Sequence, residues 1–457
     1  MNEKIKIPSV DYILNHEQIK NSLIKDSVLL KTIVKNYIAK YKADNGIYIT
    51  SKNDFINEIY NYILLTTQSQ LKQVINATGI ILHTNLGRAP LSEYILSRSF
   101  NTLSSYSNLE FDLESGKRGD RNKHLRDLIN LITGAEDCLI VNNNSAAVFL
   151  ILNQLSKDKE VIISRSELVE IGGSFRIPDI MSASGCFLKE VGTTNCTNIN
   201  DYQNAINENT GMIFKAHQSN FYIAGHTEEV DINTLSELAK NNNLPFVYDI
   251  GSGLLKELKS LGTQKEPNVQ SCIASGIDLI SFSGDKLLGG PQCGIIVGKK
   301  NLIKQLEKNP LMRILRVDKL TLRVLYECIS LYLDEKELIK HNPLFKMLSQ
   351  TESDLKTKAI IFTNYLKKQT IDCKLISSEG KTGGGTMPDL TLPSYSVQLN
   401  LKDNLAEELY LQLMKSERPI ISVLKEGKLS FNMLTITENE MTIISNELSK
   451  TITKDLQ

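Results

Sequence analysis

Over the first 70 residues the apolar positions recur with a helical period. From Ser27 to Tyr41, Val28, Leu29, Ile33, Val34 and Tyr37 fall near one face, with Lys31, Lys35 and Lys40 mostly off it. Asn53 to Leu65 repeats the pattern through Phe55, Ile56, Ile59 and Tyr62, and Asn45-Gly46 between the two stretches signals a turn. The spacing predicts a small helical domain over residues 1–70.

From about residue 71 short apolar runs take over: CLIVNN at 138–143, EVIISRSE at 160–167, GMIFKAHQS at 211–219, LPFVYDIGSG at 244–253 and DLISFSGDK at 278–286. Helix-like stretches such as DINTLSELAKNNN at 231–243 lie between them. Near-continuous apolar strands alternating with helices predict an α/β domain over 71–315 with a large, mainly parallel sheet. Beyond residue 316 the order is two helical segments at 320–333 and 341–369, a glycine-rich loop at 380–385, and a strand at 394–401. A helix at 403–415 and strand candidates within 418–436 follow. This predicts a smaller C-terminal α+β domain over 316–457.

Composition narrows the function classes. Of 457 residues 41% are hydrophobic and 23% charged, enough to bury a sizeable core. Lys+Arg and Asp+Glu both number 52, which excludes a globally basic nucleic-acid coat while leaving local basic surfaces open. Residues 1–70 hold nine Lys against seven acidic residues, 9 − 7 = +2, too little by itself to mark an RNA-binding domain. No apolar run approaches the ~20 residues that cross a bilayer. The opening MNEKIKIPSVDYILNH lacks a continuous apolar core, so a cytoplasmic protein is expected. Seven scattered cysteines without a C-x-x-C pair predict reduced, buried thiols rather than disulfides or a zinc site.

In parallel sheets ligands bind beyond the carboxyl ends of the strands, where Asn142 to Asn144, Asp249 and Ser283 to Lys286 fall. Pyridoxal phosphate needs a Lys amine for its aldehyde, an acid facing the pyridine nitrogen, and a phosphate cradle. Lys286, Asp249 and the strand-to-helix turn VNNNSAA at 141–147 offer that set, with Ser283 able to add a hydroxyl. Each has an ordinary alternative: a surface lysine, and two helix N-caps. Arg88, Arg118, Arg121, Arg313 and Arg316 sit in turn-rich sequence, where they suit either an anionic substrate or plain solubility. His83, His124 and His217 show no metal-ligand spacing; His217, at a strand end, suits a cofactor contact or a structural hydrogen bond equally well.

Eight strings in register carry a resemblance: INATGIILHTNLGRAPLS (75–92), YSNLEFDLESGKRGDRNKH (106–124), VNNNSAAVFL (141–150), SRSELVEIGGSFRIPDIM (164–181), GTTNCTNINDY (192–202), HQSNFYIAGHTEEV (217–230), VYDIGSGLL (247–255) and SFSGDKLLGGPQCGII (281–296). Together the chain resembles the bacterial selenocysteine synthases, or L-seryl-tRNA(Sec) selenium transferases, which are fold-type I pyridoxal-phosphate enzymes. The resemblance implies Lys286 as the Schiff-base lysine, Asp249 as partner of the pyridine nitrogen, and Asn143, Asn144, Ser145 and Ser283 as phosphate contacts. It implies Arg88, Arg313 and Arg316 as an anion-binding set and adds Asp285 to the motif. It also implies that residues 1–70 grip tRNA, that seryl-tRNA(Sec) is converted with selenophosphate through a dehydroalanyl-tRNA, and that the subunits form a homodecamer, a pentamer of dimers. The chain departs from the family pattern at Asn432 and Leu434, where an acid and an arginine are usual, and at Ser166, where glycine is common. Two rivals remain: a pyridoxal-phosphate lyase of a small amino acid or amino-sugar acid, which would lack the N-terminal extension, and a non-catalytic RNA-binding scaffold, against which the intact Asp249, Ser283 and Lys286 set speaks.

Overall fold

The computed structural model describes residues 5–172, 175–401 and 405–455. Residues 173–174 of the fourth string, and the first two residues of the helix expected at 403–415, lie outside them. The chain divides into two compact units, Met1–Val74 with Glu417–Pro419, and Ile75–Ser416 with Ile420–Gln457.

The first unit holds four helices, α1 (Val10–Asn15), α2 (Glu17–Lys20), α3 (Ser27–Asn45) and α4 (Lys52–Thr67), and a ribbon pairing Ile5–Lys6 with Tyr48–Ile49. Asp26 caps α3 by accepting from the Val28 and Leu29 amides, and Ser51 caps α4 through the Asp54 amide. Helix α3 ends at Gly46, in the expected turn. Its buried stripe is Leu30, Ile33, Val34 and Ile38, packed with Phe55, Ile56, Ile59 and Ile63 of α4. The predicted face was rotated: Val28 and Leu29 are 72% and 51% exposed, and Tyr62 is only half-buried. The i, i+3, i+4, i+8 stripe that meets α4 starts at Leu30, just after the first apolar pair, and keeps Ile33 and Val34 of the expected face while Val28 and Leu29 overhang it.

In the second unit seven strands form the main sheet: β1 (Asp137–Val141), β2 (Glu160–Ser164), β3 (Phe187–Val191), β4 (Thr210–Ala216), β5 (Phe246–Gly251), β6 (Leu279–Ser283) and β7 (Gly294–Gly298). Their order is β3-β2-β4-β5-β6-β7-β1; β7 runs antiparallel to both neighbours and the other six are mutually parallel. Five of these strands are the five apolar runs of the sequence. Edge strand β3, Phe-Leu-Lys-Glu-Val, leaves Phe187 and Glu190 exposed, so its pattern is not that of a buried strand. Helix α5 (Asn144–Ser156) follows β1 directly and covers the sheet with Val148, Ile151 and Leu152, while α6 (Ile232–Asn241) packs Leu235, Leu238 and Ala239 into the other layer.

The stretch 341–369, expected as one helical segment, is broken. The helices are α7 (Glu335–His341), α8 (Pro343–Leu348) and α9 (Glu352–Lys368). Pro343 has no N–H to continue α7, and Asn342 and Thr351 cap the new starts. A four-stranded antiparallel sheet closes this part, with β8 (Cys373–Lys381), β9 (Thr391–Leu399), β10 (Val423–Lys425) and β11 (Lys428–Asn432) in the order β8-β9-β11-β10. One apolar core runs from α6 through the main sheet to Val397 and Phe431 of the second.

The turn between β1 and α5 is held from below by β7. A Cβ on Gly294 would stand 2.1 Å from the Asn143 carbonyl oxygen, closer than any side chain tolerates. Gly294→Ala is therefore expected to displace the 143–145 turn and to destabilise the protein by about 1–3 kcal/mol, the usual cost of overpacking. The midpoint of denaturant unfolding measures it.

Candidate active site

Asp249 lies near the carboxyl end of β5 on a buried position and stands opposite Ser281 of β6. Its Oδ1 accepts three hydrogen bonds, from Asn144 Nδ2 (2.9 Å), Ser281 Oγ (3.1 Å) and the Gly251 amide (3.1 Å). Oδ2 takes none among the described residues, so the carboxylate is fixed by one oxygen and offers the other. Burial pushes its carboxyl above the ordinary range, while Asn144, Lys286 and Ser281 favour the charged form.

Lys286 follows β6 through the Gly284-Asp285 turn and is 4% exposed. Among the described residues its amine has neither ion pair nor hydrogen bond. Burial lowers its pKa; Asp249 opposes that, Arg88 adds to it, and Asp285 and Glu266 oppose it weakly. The amine lies 4.0 Å from where a Cβ on Gly251 would stand, and Ser219 Oγ lies 3.9 Å from the same point. Arg88 Nη1 pairs with Asp285 Oδ2 at 2.7 Å, and the Ala89 amide donates to the Asp285 carbonyl at 3.2 Å. Arg88 holds this place with a left-handed backbone, φ 61°, a conformation that costs a non-glycine residue about 1–3 kcal/mol and survives only where surroundings impose it.

On the far side of Asp249 the N-terminus of α5 is open. Asn143 caps the helix by accepting from the Ala146 amide at 2.8 Å. The Asn144 and Ser145 amides and the Ser145 and Ser283 hydroxyls have no protein partner among the described residues. A helix start of this kind binds phosphate. An unpaired buried amine, a carboxylate with one free oxygen and a phosphate cradle thus occupy one neighbourhood, and their chemistry fits pyridoxal phosphate.

Other expected residues flank this group: the His217 amide donates to the Asp249 carbonyl at 2.9 Å, while its side chain faces a neighbouring cleft. Tyr248 pairs with Lys215 on the face of the sheet opposite Asp249. There a cleft of about 800 Å³ is lined by His217, Lys215, Glu167, Tyr248 and Glu266. His217 Nε2 is 3.6 Å from Glu266 Oε1, and Lys215 makes a buried ion pair with Glu167 at 2.6 Å. Arg316 is tied to the site by its backbone, which bridges Val141, while its side chain joins Arg118 and Arg121 around Glu110. Arg313 is exposed. Neither arginine contacts Lys286 or Asp249 among the described residues. Asn432, at the departure from the family pattern, is a structural hub: it accepts from Ser394 Oγ and the Leu434 amide and donates to the Glu379 carbonyl. All seven cysteines are free, six of them buried, and no metal-binding cluster occurs among the described residues. Sequence reasoning missed Ser281 and Ser219. Ser281 was findable, because in S-F-S-G-D-K it shares a strand face with Ser283; Ser219 carries no such signal.

The family profile described as L-seryl-tRNA selenium transferase matches residues 74–437. An L-seryl-tRNA(Sec) selenium transferase of Aquifex aeolicus (strain VF5) is 47% identical over 407 residues, 89% of this chain and 88% of its own. One of Alkaliphilus oremlandii (strain OhILAs) is 42% identical over 458 residues, 98% of both. Among solved structures, a D-glucosaminate-6-phosphate ammonia-lyase superposes with a TM-score of 0.57 at 20% identity, covering 83% of this chain and 95% of that one, a likeness of fold.

Arg88→Ala removes a cation that depresses the Lys286 amine and frees Asp285 to act on it. Both changes raise the amine's pKa, so the pH midpoint for its reaction with an aldehyde is expected to move upward. The rate of pyridoxal attachment measured against pH, trapped by borohydride, checks this; a midpoint that stays or falls contradicts it.

Proposed function

This chain belongs to the L-seryl-tRNA selenium transferase family, and from that premise we infer how its residues convert L-seryl-tRNA(Sec) to L-selenocysteinyl-tRNA(Sec). The enzyme is pyridoxal-phosphate dependent, a fold-type I member with a large, mainly parallel sheet. The cofactor, when bound, supplies an electron sink for the carbanion formed at the substrate's α-carbon. The observation that carries the site assignment is the buried, unpaired Lys286 amine beside an Asp249 carboxylate with one free oxygen.

Lys286 would hold the aldehyde, Asp249 the ring nitrogen through Oδ2, and the Asn143–Ser145 turn with Ser283 the phosphate. Once released by the incoming amine, Lys286 removes the seryl α-proton. Its lowered pKa favours the neutral, basic form that this needs. Asp285 fixes Arg88 beside it. Loss of water across Cα–Cβ leaves a dehydroalanyl-tRNA. Selenophosphate, held by Arg88, Arg313 and Arg316, then adds its selenium to Cβ. Water cleaves the P–Se bond and phosphate leaves, so the water lost in elimination is regained. His217, with Glu266, borders the cofactor from the strand end.

The N-terminal helical unit binds the tRNA, the lyase rival having no use for it; the alignment with the Alkaliphilus enzyme spans 98% of the chain and so supports a shared N-terminal part. The enzyme works in the cytoplasm as a homo-oligomer, a decamer built as a pentamer of dimers. No described helix is long and apolar enough to cross a membrane.

Lys286→Ala is expected to lack the visible absorption of the bound cofactor and to lose about 10²–10⁴-fold in selenium incorporation into seryl-tRNA(Sec). Normal turnover by that variant contradicts the assignment. In gel shifts the full chain is expected to retain tRNA(Sec) at concentrations that leave tRNA(Ser) free; equal binding favours the small-molecule lyase.

A further inference from the structure

The loop after β8 contains Gly383, Gly384 and Gly385, with φ of 76°, 65° and 70°. Three successive positive-φ residues are open to glycine, and their amides with that of Thr386 make a short run of donors, here called the nest. Among the described residues none of the N–H groups of Gly383, Gly384, Gly385 and Thr386 has a protein acceptor, although the loop is half-buried and Thr386 fully so. A buried residue's amide is nearly always paired, so that of Thr386, with three half-buried glycine amides beside it, marks a place where something else accepts.

A second observation, on a different element, points to the same place. Ser219 is 1% exposed and its Oγ has no partner. That oxygen lies 3.6 Å from where a Cβ on Gly385 would stand, and it shares the neighbourhood of Gly251 with the Lys286 amine. Nest, hydroxyl and amine therefore surround one space.

We propose that the Gly383–Thr386 amides and the Ser219 hydroxyl bind the ester carbonyl oxygen of the aminoacyl substrate. They stabilise the negative charge that grows there as the α-proton leaves. The proposal rests on the substrate reading above. The groups that glycine Cβ positions in this loop would meet are Ile80, Leu82, Ser219 and Asn220, with no Lys or Arg among them. A carboxylate or phosphate calls for a cation. An ester carbonyl is neutral at rest and acquires charge only as Cα is deprotonated, so uncharged donors favour the transition state over the ground state. In this step the Cα–H bond alone breaks: its proton passes to Lys286 Nζ and part of its electron pair is delocalised onto the carbonyl oxygen.

The test uses full-length holoenzyme and α-deuterated seryl-tRNA(Sec) without a selenium donor, and follows loss of deuterium to water. Ser219→Ala, which deletes only the hydroxyl, is expected to slow washout about 100-fold, the usual effect of one lost oxyanion donor. In the complete reaction its KM for selenophosphate stays unchanged. Gly385→Ala, whose Cβ would meet only Asn220 and Ser219 at 3.4 Å or more but whose backbone would be strained, is expected to slow washout as well. Washout at the wild-type rate in both variants overturns the proposal, and a raised selenophosphate KM with normal washout assigns the nest to the phosphate anion instead. A wild-type holoenzyme with no washout overturns the substrate reading itself, and the proposal with it.

Discussion

A buried carboxylate in a parallel sheet is tolerated only if neighbouring groups replace the water it has lost. Asp249 meets that condition with one oxygen, and the rest of the site is arranged around how. Asn144 reaches it from the first turn of α5, which fixes that helix start over the strand ends. Ser281 reaches it from β6, which fixes the register of the strand leading to Lys286. The carboxylate thus acts as the pin that aligns three segments far apart in sequence, and its second oxygen remains for a ligand.

The amine obeys the opposite logic. Lys286 is as deeply buried but receives no direct partner, so burial and the neighbouring Arg88 cation both disfavour its charge. Asp285, one residue away, is taken up by Arg88 and cannot swing to neutralise the amine. Two adjacent residues of opposite charge are thereby held apart, one in an ion pair and the other buried with no partner among the described residues. Arg88 reaches its place only through an unfavourable backbone conformation, consistent with a position set by the ion pair rather than by local preference.

Much of this was legible in the chain. Buried parallel strands write themselves as apolar runs, so five of the seven strands, and the residues at their carboxyl ends, could be located directly. The edge strand at 187–191 could not, because half of it faces water, nor could the antiparallel direction of 294–298, which depends on pairing rather than composition. The helical face of α3 was right at Ile33 and Val34 but not at its start, since Val28 and Leu29 are apolar yet overhang their partner helix. Asp249 and Lys286 stood out by residue type and strand-end position, and the structure brings them into one neighbourhood. Ser219 did not, because a serine in a loop is ordinary until its hydroxyl is seen to be buried with nothing to bond. Likewise the glycine-rich stretch read only as a loop, and its unpaired amides alone distinguish it.

Beneath the sheet, on the side away from Asp249, the Lys215–Glu167 pair borders a cleft yet is almost wholly buried. Each charge is acceptable there chiefly because of the other, with Glu229 beside Lys215 and the Ala216 amide on Glu167 adding to it; an isolated partner would be left poorly compensated in a medium of low polarity. The route by which such a pair is replaced over evolutionary time is therefore narrow. A single exchange at either position crosses a deep valley of instability, and the two sites are free to drift only as a couple, for example toward two apolar residues of matching volume.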